Sequence, residues 1–96
     1  MYDYVMNEIE YDPAKREMTL QERGLDFADA PAVFAARNLT GESPDPGNDK
    51  VRYITIGPLR GTLVVIVWTP RGAVRRIISM RKANADIRKR FQKAVG

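Results

Sequence analysis

The sequence predicts a small α+β domain, and three observations support this prediction. Segments with alternating apolar residues, typical of strands, occur together with segments of helical periodicity. Asp12-Pro13 and Gly24 are typical of the start and the end of a helix. Three consecutive strand-like segments are separated by turns that contain proline and glycine. The predicted order is β-α-α-β-β-β-α, an antiparallel sheet packed by helices, as one domain over residues 1–96.

The N-terminal part is predicted to form one strand and two helices. Residues 5–11 alternate in the manner of a half-exposed strand, and residues 13–23 form the first predicted helix. The second helix follows Asp26 and has an apolar face. Because Pro31 lacks an amide hydrogen, we expect this helix to begin near Asp29.

The C-terminal part is predicted to form a loop, three strands and a helix. Residues 38–49 are rich in turn formers and lack periodicity, which predicts a long loop. The strands are predicted at residues 51–57, 62–68 and 73–79, as an antiparallel meander. The middle strand is apolar on both faces, so we expect it at the centre of the sheet. Residues 84–95 are predicted to form a helix that packs its apolar side and presents lysine and arginine outward.

The composition excludes several kinds of site. The chain has no cysteine and no histidine, so disulfides, thiolate chemistry, a histidine general base and the usual transition-metal sites are excluded. We expect no metal and no cofactor. The sequence has neither the roughly 20 consecutive apolar residues of a membrane helix nor a signal-peptide pattern. We therefore expect a cytoplasmic protein that does not associate with a membrane.

The charges are divided unevenly along the chain. Residues 1–49 contain four basic and eleven acidic residues, whereas residues 50–96 contain twelve basic residues and one acidic residue. The cationic half suits a polyanion such as RNA or DNA, or an acidic protein partner. The alternative is that the acidic half packs against the basic half within the molecule.

Arginines on the predicted strands are candidates for phosphate binding. Arg52 alternates with its neighbours and shares a sheet face with two isoleucines. Arg75 and Arg76 are adjacent on one strand and must point to opposite faces. If Arg52, one member of this pair and Arg81 converge, they form a pocket that binds a phosphate through paired hydrogen bonds. The alternative for each arginine is a solvated or salt-bridged surface position.

Two further side chains are candidates for contact with RNA. Trp68 ends the central strand, where its indole either stacks on an unpaired base or packs in the core. Lys15 lies in the first turn of a predicted helix, where its charge opposes the helix dipole. The sequence contains no distinctive pair of carboxylates, glycine-rich phosphate loop or nucleophile elbow. An enzyme built on this chain would therefore depend mainly on charge stabilisation.

Four segments, in this order, resemble the BrnT family of toxins. Residues 10–15 (EYDPAK) and 22–30 (ERGLDFADA) resemble the family patterns W-D-P-x-K and K-H-G-(V/I/L)-x-F-x-x-A. Residues 52–57 (RYITIG) resemble R-(Y/F)-x-x-I-G, and residues 76–83 (RIISMRKA) resemble R-I-I-S-A-R-x-A. The resemblance extends over about residues 8–90.

The resemblance implies a RelE-like fold, RNA cleavage that arrests growth, and neutralisation by a BrnA-type antitoxin with a ribbon-helix-helix domain. It also implies a heterotetramer that contacts operator DNA through the antitoxin. The three catalytic residues that it indicates are Arg52, Arg76 and Arg81. The candidate RNA-binding residues are Lys15, Arg23, Trp68 and Lys82.

The chain departs from the family pattern at two places. The family's K-H is Glu22-Arg23 here, and the leading tryptophan is Tyr11. Without the histidine, a residue such as Glu22, Lys15 or Lys82 would have to move protons. A non-catalytic homologue that binds the antitoxin and acts as a co-repressor is therefore the alternative to a ribonuclease.

Overall fold

The computed structural model describes residues 8–43 and 51–95, and it confirms the α+β class. One five-stranded sheet has the strand order β1-β5-β4-β3-β2. The elements along the chain are β1 (Ile9–Glu10), α1 (Pro13–Arg23), a 3-10 turn (Phe27–Asp29), α2 (Ala30–Ala35), β2 (Leu39–Glu42), β3 (Tyr53–Leu59), β4 (Thr62–Arg71), β5 (Val74–Lys82) and α3 (Ala85–Val95).

Both predicted helix starts in the N-terminal part are confirmed. The Asp12 side chain accepts a hydrogen bond from the Ala14 amide at 2.9 Å, which caps α1. Gly24 ends α1 with a φ of 69°, a left-handed conformation that favours glycine. After the 3-10 turn, α2 begins one residue beyond Asp29, with Pro31 in its first turn, as predicted.

The prediction of an uninterrupted loop over residues 38–49 is wrong, because Leu39–Glu42 forms strand β2. It pairs antiparallel with β3, from Leu39 opposite Ile56 to Glu42 opposite Tyr53. The strand lies at the edge of the sheet and is half-buried or exposed throughout, so no apolar alternation marks it in the sequence. Residues 44–49 of the predicted loop and residues 5–7 of the predicted first strand lie outside the described residues.

The three predicted central strands are present: β4 and β5 are longer than predicted, and β3 has the predicted length but begins two residues later. The β3–β4 connection is a two-residue turn in which both Arg60 and Gly61 have positive φ, as hairpin turns of this length require. β4 is central, and Val64, Val65 and Ile66 are buried, so both of its faces are covered as predicted. β1 pairs with β5 in parallel, so the sheet is antiparallel except at this edge.

The main core lies on the face of the sheet that α1, the 3-10 turn and α2 cover. Its helical side includes Phe27 and Val33, and its sheet side includes Ile66, Ile77 and Met80. Burial of this apolar surface is the main force that holds the helices on the sheet.

α2 approaches the sheet closely at one glycine. A Cβ added at Gly57 of β3 would lie 3.0 Å from Val33 Cγ1 and 3.1 Å from Asn38 Cβ. A methyl group at this position therefore fits only if Val33 or Asn38 shifts by a few tenths of an ångström.

The C-terminal helix α3 agrees closely with the predicted range. The Asn84 side chain accepts a hydrogen bond from the Ile87 amide at 2.9 Å and caps the helix. Ile87, Phe91 and Val95 are half-buried, and no residue of α3 is buried or belongs to the main core. None of the described helices is long and apolar enough to cross a membrane.

Candidate functional site

An irregularity in β5 decides which arginines share a face of the sheet. A register shift between Val67 and Trp68 of β4 leaves Ile78 as an extra residue in β5, a β-bulge. Arg76 and Arg81 are five positions apart, so strict alternation would place them on opposite faces. Because the bulge reverses the alternation, both arginines lie on the face opposite the main core.

Arg52 and Arg76 lie at the same level of the sheet, on either side of Thr69. Thr69 pairs with Arg76, and extending the β3–β4 register by one residue places Arg52 opposite Thr69. The two arginine backbones are separated by two strand spacings, about 10 Å, which two arginine side chains can bridge. We call this side of the sheet, which bears Arg52, Arg76 and Arg81, the arginine face.

Arg81 is exposed and lies farther along the arginine face. It pairs with Val65, which precedes Thr69 by four residues of β4, or about 13 Å. Its guanidinium makes no hydrogen bond or ion pair with any residue in the ranges 8–43 and 51–95. The structure thus brings Arg52 and Arg76 together and keeps Arg81 on the same face at a distance.

Glu10 is a carboxylate of the arginine face that the sequence did not single out. The parallel pairing of β1 with β5 sets Glu10 beside Arg76. Arg76 Nη1 donates to Glu10 Oε2 at 3.1 Å, and Arg71 Nη1 lies 3.8 Å from the same oxygen. The Glu10 side chain remains 39% exposed. It therefore orients Arg76 and is still accessible to a substrate.

A cleft of about 380 Å³ opens at the Thr69 end of the sheet. Its described lining residues are Val51, Thr69, Pro70 and Arg71. The Thr69 hydroxyl donates to the Val51 carbonyl at 2.6 Å and so ties the start of β3 to β4 beside this cleft. The cleft lies next to the row that contains Arg52 and Arg76.

Arg75 points away from the arginine face, as the alternation predicts. Its guanidinium carbon lies 4.0 Å from the centre of the Phe34 ring and 4.9 Å from that of Trp68. Partial burial among these rings lowers the pKa of Arg75. Arg75 therefore packs beside the core and is not part of the arginine face.

The expectation that Trp68 stacks on an RNA base is wrong, and the core alternative is observed. Trp68 is 6% exposed and stacks on Tyr53 with 5.0 Å between ring centres. Its indole Nε1 donates to Thr55 Oγ1 at 2.8 Å. With its ring covered and its only donor satisfied, Trp68 has no surface for a base. A tryptophan at the end of an apolar strand is compatible with either role, so the sequence could not decide.

The three remaining RNA-binding candidates lie away from the row of Arg52 and Arg76. Lys15 is exposed in the first turn of α1. Arg23 ends α1 and donates from Nη1 to the Met80 carbonyl of β5 at 2.9 Å. Lys82 pairs with Val64, on the core side of the sheet, and lines a cleft of about 210 Å³.

Two carboxylates near this second cleft are neutralised by arginines. Arg16 of α1 forms two hydrogen bonds with Asp26, at 2.8 and 2.7 Å. The hydrogen bonds from Arg16 and from the Ala28 amide lower the pKa of Asp26 to about 2. Arg60 forms an ion pair with Asp29 at 3.0 Å. These contacts hold α1 and the hairpin turn against the 3-10 segment.

A comparison with protein families identifies the chain. A family model described as "Ribonuclease toxin, BrnT, of type II toxin-antitoxin system" matches residues 11–86. The chain belongs to the BrnT family. No curated protein sequence matches it. Membership indicates a ribonuclease toxin whose partner is a protein antitoxin, and it confirms the resemblance seen in the sequence.

The range that matches the BrnT family contains the three arginines of the arginine face and ends within α3. Among the described residues, no group of three or more histidine, cysteine, aspartate or glutamate side chains is placed to hold a metal ion. Among the described residues of this BrnT chain, the arginine face thus offers guanidiniums to a phosphate, with the Glu10 carboxylate beside Arg76.

Proposed function

We propose that this BrnT chain is an endoribonuclease that cleaves RNA at the arginine face without a metal ion. The observation that supports the proposal is the β-bulge, because it brings Arg76 onto the face that also bears Arg52 and Arg81. Paired guanidiniums bind a phosphate through geometrically matched hydrogen bonds. Arg52 and Arg76 would bind the scissile phosphate, and Arg81 would bind a neighbouring phosphate of the same strand.

The chemistry that fits these groups is attack by the ribose 2′-hydroxyl on its own phosphate. A bond forms between the 2′-oxygen and phosphorus, and the bond from phosphorus to the 5′-oxygen breaks. The arginines stabilise the additional negative charge of the transition state. Glu10 accepts the proton of the 2′-hydroxyl, since it contacts Arg76, whereas Glu22, Lys15 and Lys82 lie on α1 or on the other face. Water protonates the leaving 5′-oxygen.

Cleavage of RNA in the presence of EDTA tests this proposal. The wild-type chain should degrade RNA under these conditions, and Arg81→Ala should abolish cleavage and growth arrest. The substitution should change the free energy of unfolding by less than about 1 kcal/mol, as at most exposed positions. Arg37→Ala, an exposed arginine outside the arginine face, is the matched control and should retain activity. Intact RNA at high wild-type concentration, with or without ribosomes, would contradict the proposal.

We further propose that the partner is a BrnA-type antitoxin that covers the arginine face in a heterotetramer. An acidic or aromatic-rich segment of the antitoxin would bind this face. Attraction between its charges and the arginines would speed association, and burial of apolar groups beside the arginines would slow dissociation. In this arrangement, operator DNA is contacted mainly through the antitoxin.

One observation favours a second function, a non-catalytic protein that binds the antitoxin. Arg23 stands where the family pattern has histidine, and its guanidinium binds the Met80 carbonyl. An arginine held in this way does not transfer protons as histidine would. Expression without the antitoxin separates the two functions, since rapid growth arrest supports the ribonuclease and normal growth with abundant folded protein supports the binding protein.

A further inference from the structure

The C-terminal segment of the chain carries an excess of positive charge that no carboxylate of the described residues pairs with. Residues 81–95 contain six basic residues and one acidic residue. The six basic residues, all exposed, are Arg81, Lys82, Arg88, Lys89, Arg90 and Lys93. Within the part of the chain that the structure describes, none of the six is in an ion pair.

Elsewhere in the described residues, Lys15, Arg23 and Arg37 are also exposed and in no ion pair, but they do not form a cluster in the sequence, and other arginines are paired. Arg16 and Arg60 are paired with Asp26 and Asp29, and Arg76 is paired with Glu10. The positive charge of the C-terminal segment is therefore not a general property of the surface. It is concentrated where the chain leaves β5 and enters α3.

α3 begins close to the Arg81 end of the arginine face. Only Ala83 and Asn84 separate the end of β5 from α3, and Arg88 Nη1 donates to the Ala83 carbonyl at 3.0 Å, which holds the first turn to the strand end. Eleven residues give a helix of about 16 Å. A groove of about 930 Å³ runs beside α3, and its described lining residues are Asp86, Lys89, Arg90, Gln92 and Lys93.

We propose that α3 binds the phosphate backbone of single-stranded RNA next to the cleavage site. The proposal rests on the proposed function and adds a second contact surface for the same substrate. A backbone of phosphates is bound by exposed lysine and arginine without matching apolar surface. The centre of a protein interface instead is depleted of lysine and enriched in aromatic residues. The described lining of the groove is three cations, one glutamine and one aspartate, and the one aromatic residue of α3, Phe91, is half-buried.

The salt dependence of RNA binding tests this inference on the full chain. The probe is a single-stranded RNA with 2′-O-methyl groups, which lacks the attacking hydroxyl and is not cleaved. For single-stranded RNA, log K falls as log salt rises, and each lost phosphate contact reduces the steepness of this line by about 0.7. The triple substitution Lys89→Gln, Arg90→Gln and Lys93→Gln should reduce the steepness by about 2. Glutamine preserves helix propensity.

The control is Arg37→Gln, which removes one exposed charge outside α3 and should leave the slope unchanged. The triple variant should keep the wild-type rate on a dinucleotide, which is too short to reach α3, and lose affinity for longer RNA. An unchanged slope in the triple variant overturns the inference, as does weaker antitoxin binding with unchanged RNA binding. If the wild type binds the methylated RNA through α3 but never cleaves unmodified RNA, the inference stands and the proposed cleavage fails.

Discussion

Arg75 and Arg76 are chemically identical neighbours with different environments. Arg75 lies over the rings of Phe34 and Trp68, while Arg76 pairs with Glu10 on the opposite face. Alternation along a strand predicts that the two point in opposite directions, and it leaves open which one faces the substrate. Only the pairing of β5 with both of its neighbours decides this, because it fixes which side of the strand is covered.

Trp68→Phe distinguishes a core residue from a base-stacking residue. The change removes the donor to Thr55, which is fully buried, and leaves a small void. We expect the free energy of unfolding to fall by about 1–3 kcal/mol, with RNA affinity unchanged. Urea denaturation and binding of 2′-O-methyl RNA measure the two effects. A loss of RNA affinity without a loss of stability would show that Trp68 contacts RNA.

The pair of Arg16 and Asp26 should make stability depend on acid pH. The pKa of Asp26 is about 2 in the folded chain, below its ordinary value of 3.8, because of the hydrogen bonds from Arg16 and the Ala28 amide. Because the folded state favours the ionised carboxylate, this carboxylate stabilises the fold fully at pH values above its pKa in the unfolded chain. The stabilisation is lost as the pH falls through its pKa in the folded chain. Asp26→Asn should therefore be less stable than wild type at neutral pH.

The stability difference between wild type and Asp26→Asn should shrink as the pH falls from about 4 towards 2. Denaturation midpoints across this range measure it. Asp12→Asn is a useful comparison, because asparagine also caps helices and Asp12 has no arginine partner. A difference that stays constant down to pH 2 would show that the ionised pair does not contribute.

Elements with strong local signals were predictable, and elements defined by pairing were not. α1 follows from Asp12 and Gly24, since a capping side chain and a left-handed glycine act within one turn. β2 is polar and exposed, and only its hydrogen bonds to β3 define it. The parallel pairing of β1 and the bulge in β5 also depend on residues distant in sequence.

The contact between α2 and β3 should be sensitive to one methyl group. Gly57→Ala places a Cβ at 3.0 Å from Val33 Cγ1, so Val33 or the strand backbone must shift by a few tenths of an ångström. We expect a loss of about 1–3 kcal/mol in the free energy of unfolding, as for overpacked cores. Gly41→Ala in β2 is the matched control, because no atom lies within 4 Å of the added Cβ. Equal urea midpoints for the two variants would contradict this packing.

At the scale of the whole molecule, the basic half of the sequence is partly paired with the acidic half and partly exposed. Glu10 and Asp29 of the first half pair with Arg60, Arg71 and Arg76 of the second, so part of the charge is internal, as the alternative interpretation expected. The longest run of exposed cations outside these pairs extends from Arg81 along α3. The family resemblance pointed to Arg52, Arg76 and Arg81 as candidates, whereas Glu10 and the distance to Arg81 required the sheet.

Operator binding across a salt series tests the assignment of roles in the complex. The toxin alone should bind DNA weakly and with strong salt dependence, whereas the antitoxin and the complex should bind the operator specifically. Random DNA of the same length is the control for each. Tight, sequence-specific binding by the toxin alone would overturn the proposal that DNA is contacted mainly through the antitoxin.

The extra residue in β5 makes the register of this strand a matter of function as well as of folding. If Ile78 entered the pairing and the bulge disappeared, Arg76 and Arg81 would lie on opposite faces, because they are five positions apart. Deletion of Ile78 would have the opposite effect: the two arginines, now four positions apart, would share one face by plain alternation, and Ile77 and Met80 would share the other. Natural variation should therefore tolerate loss of the bulged residue together with changes in the turns, whereas a slip of β5 by one residue should separate the two arginines.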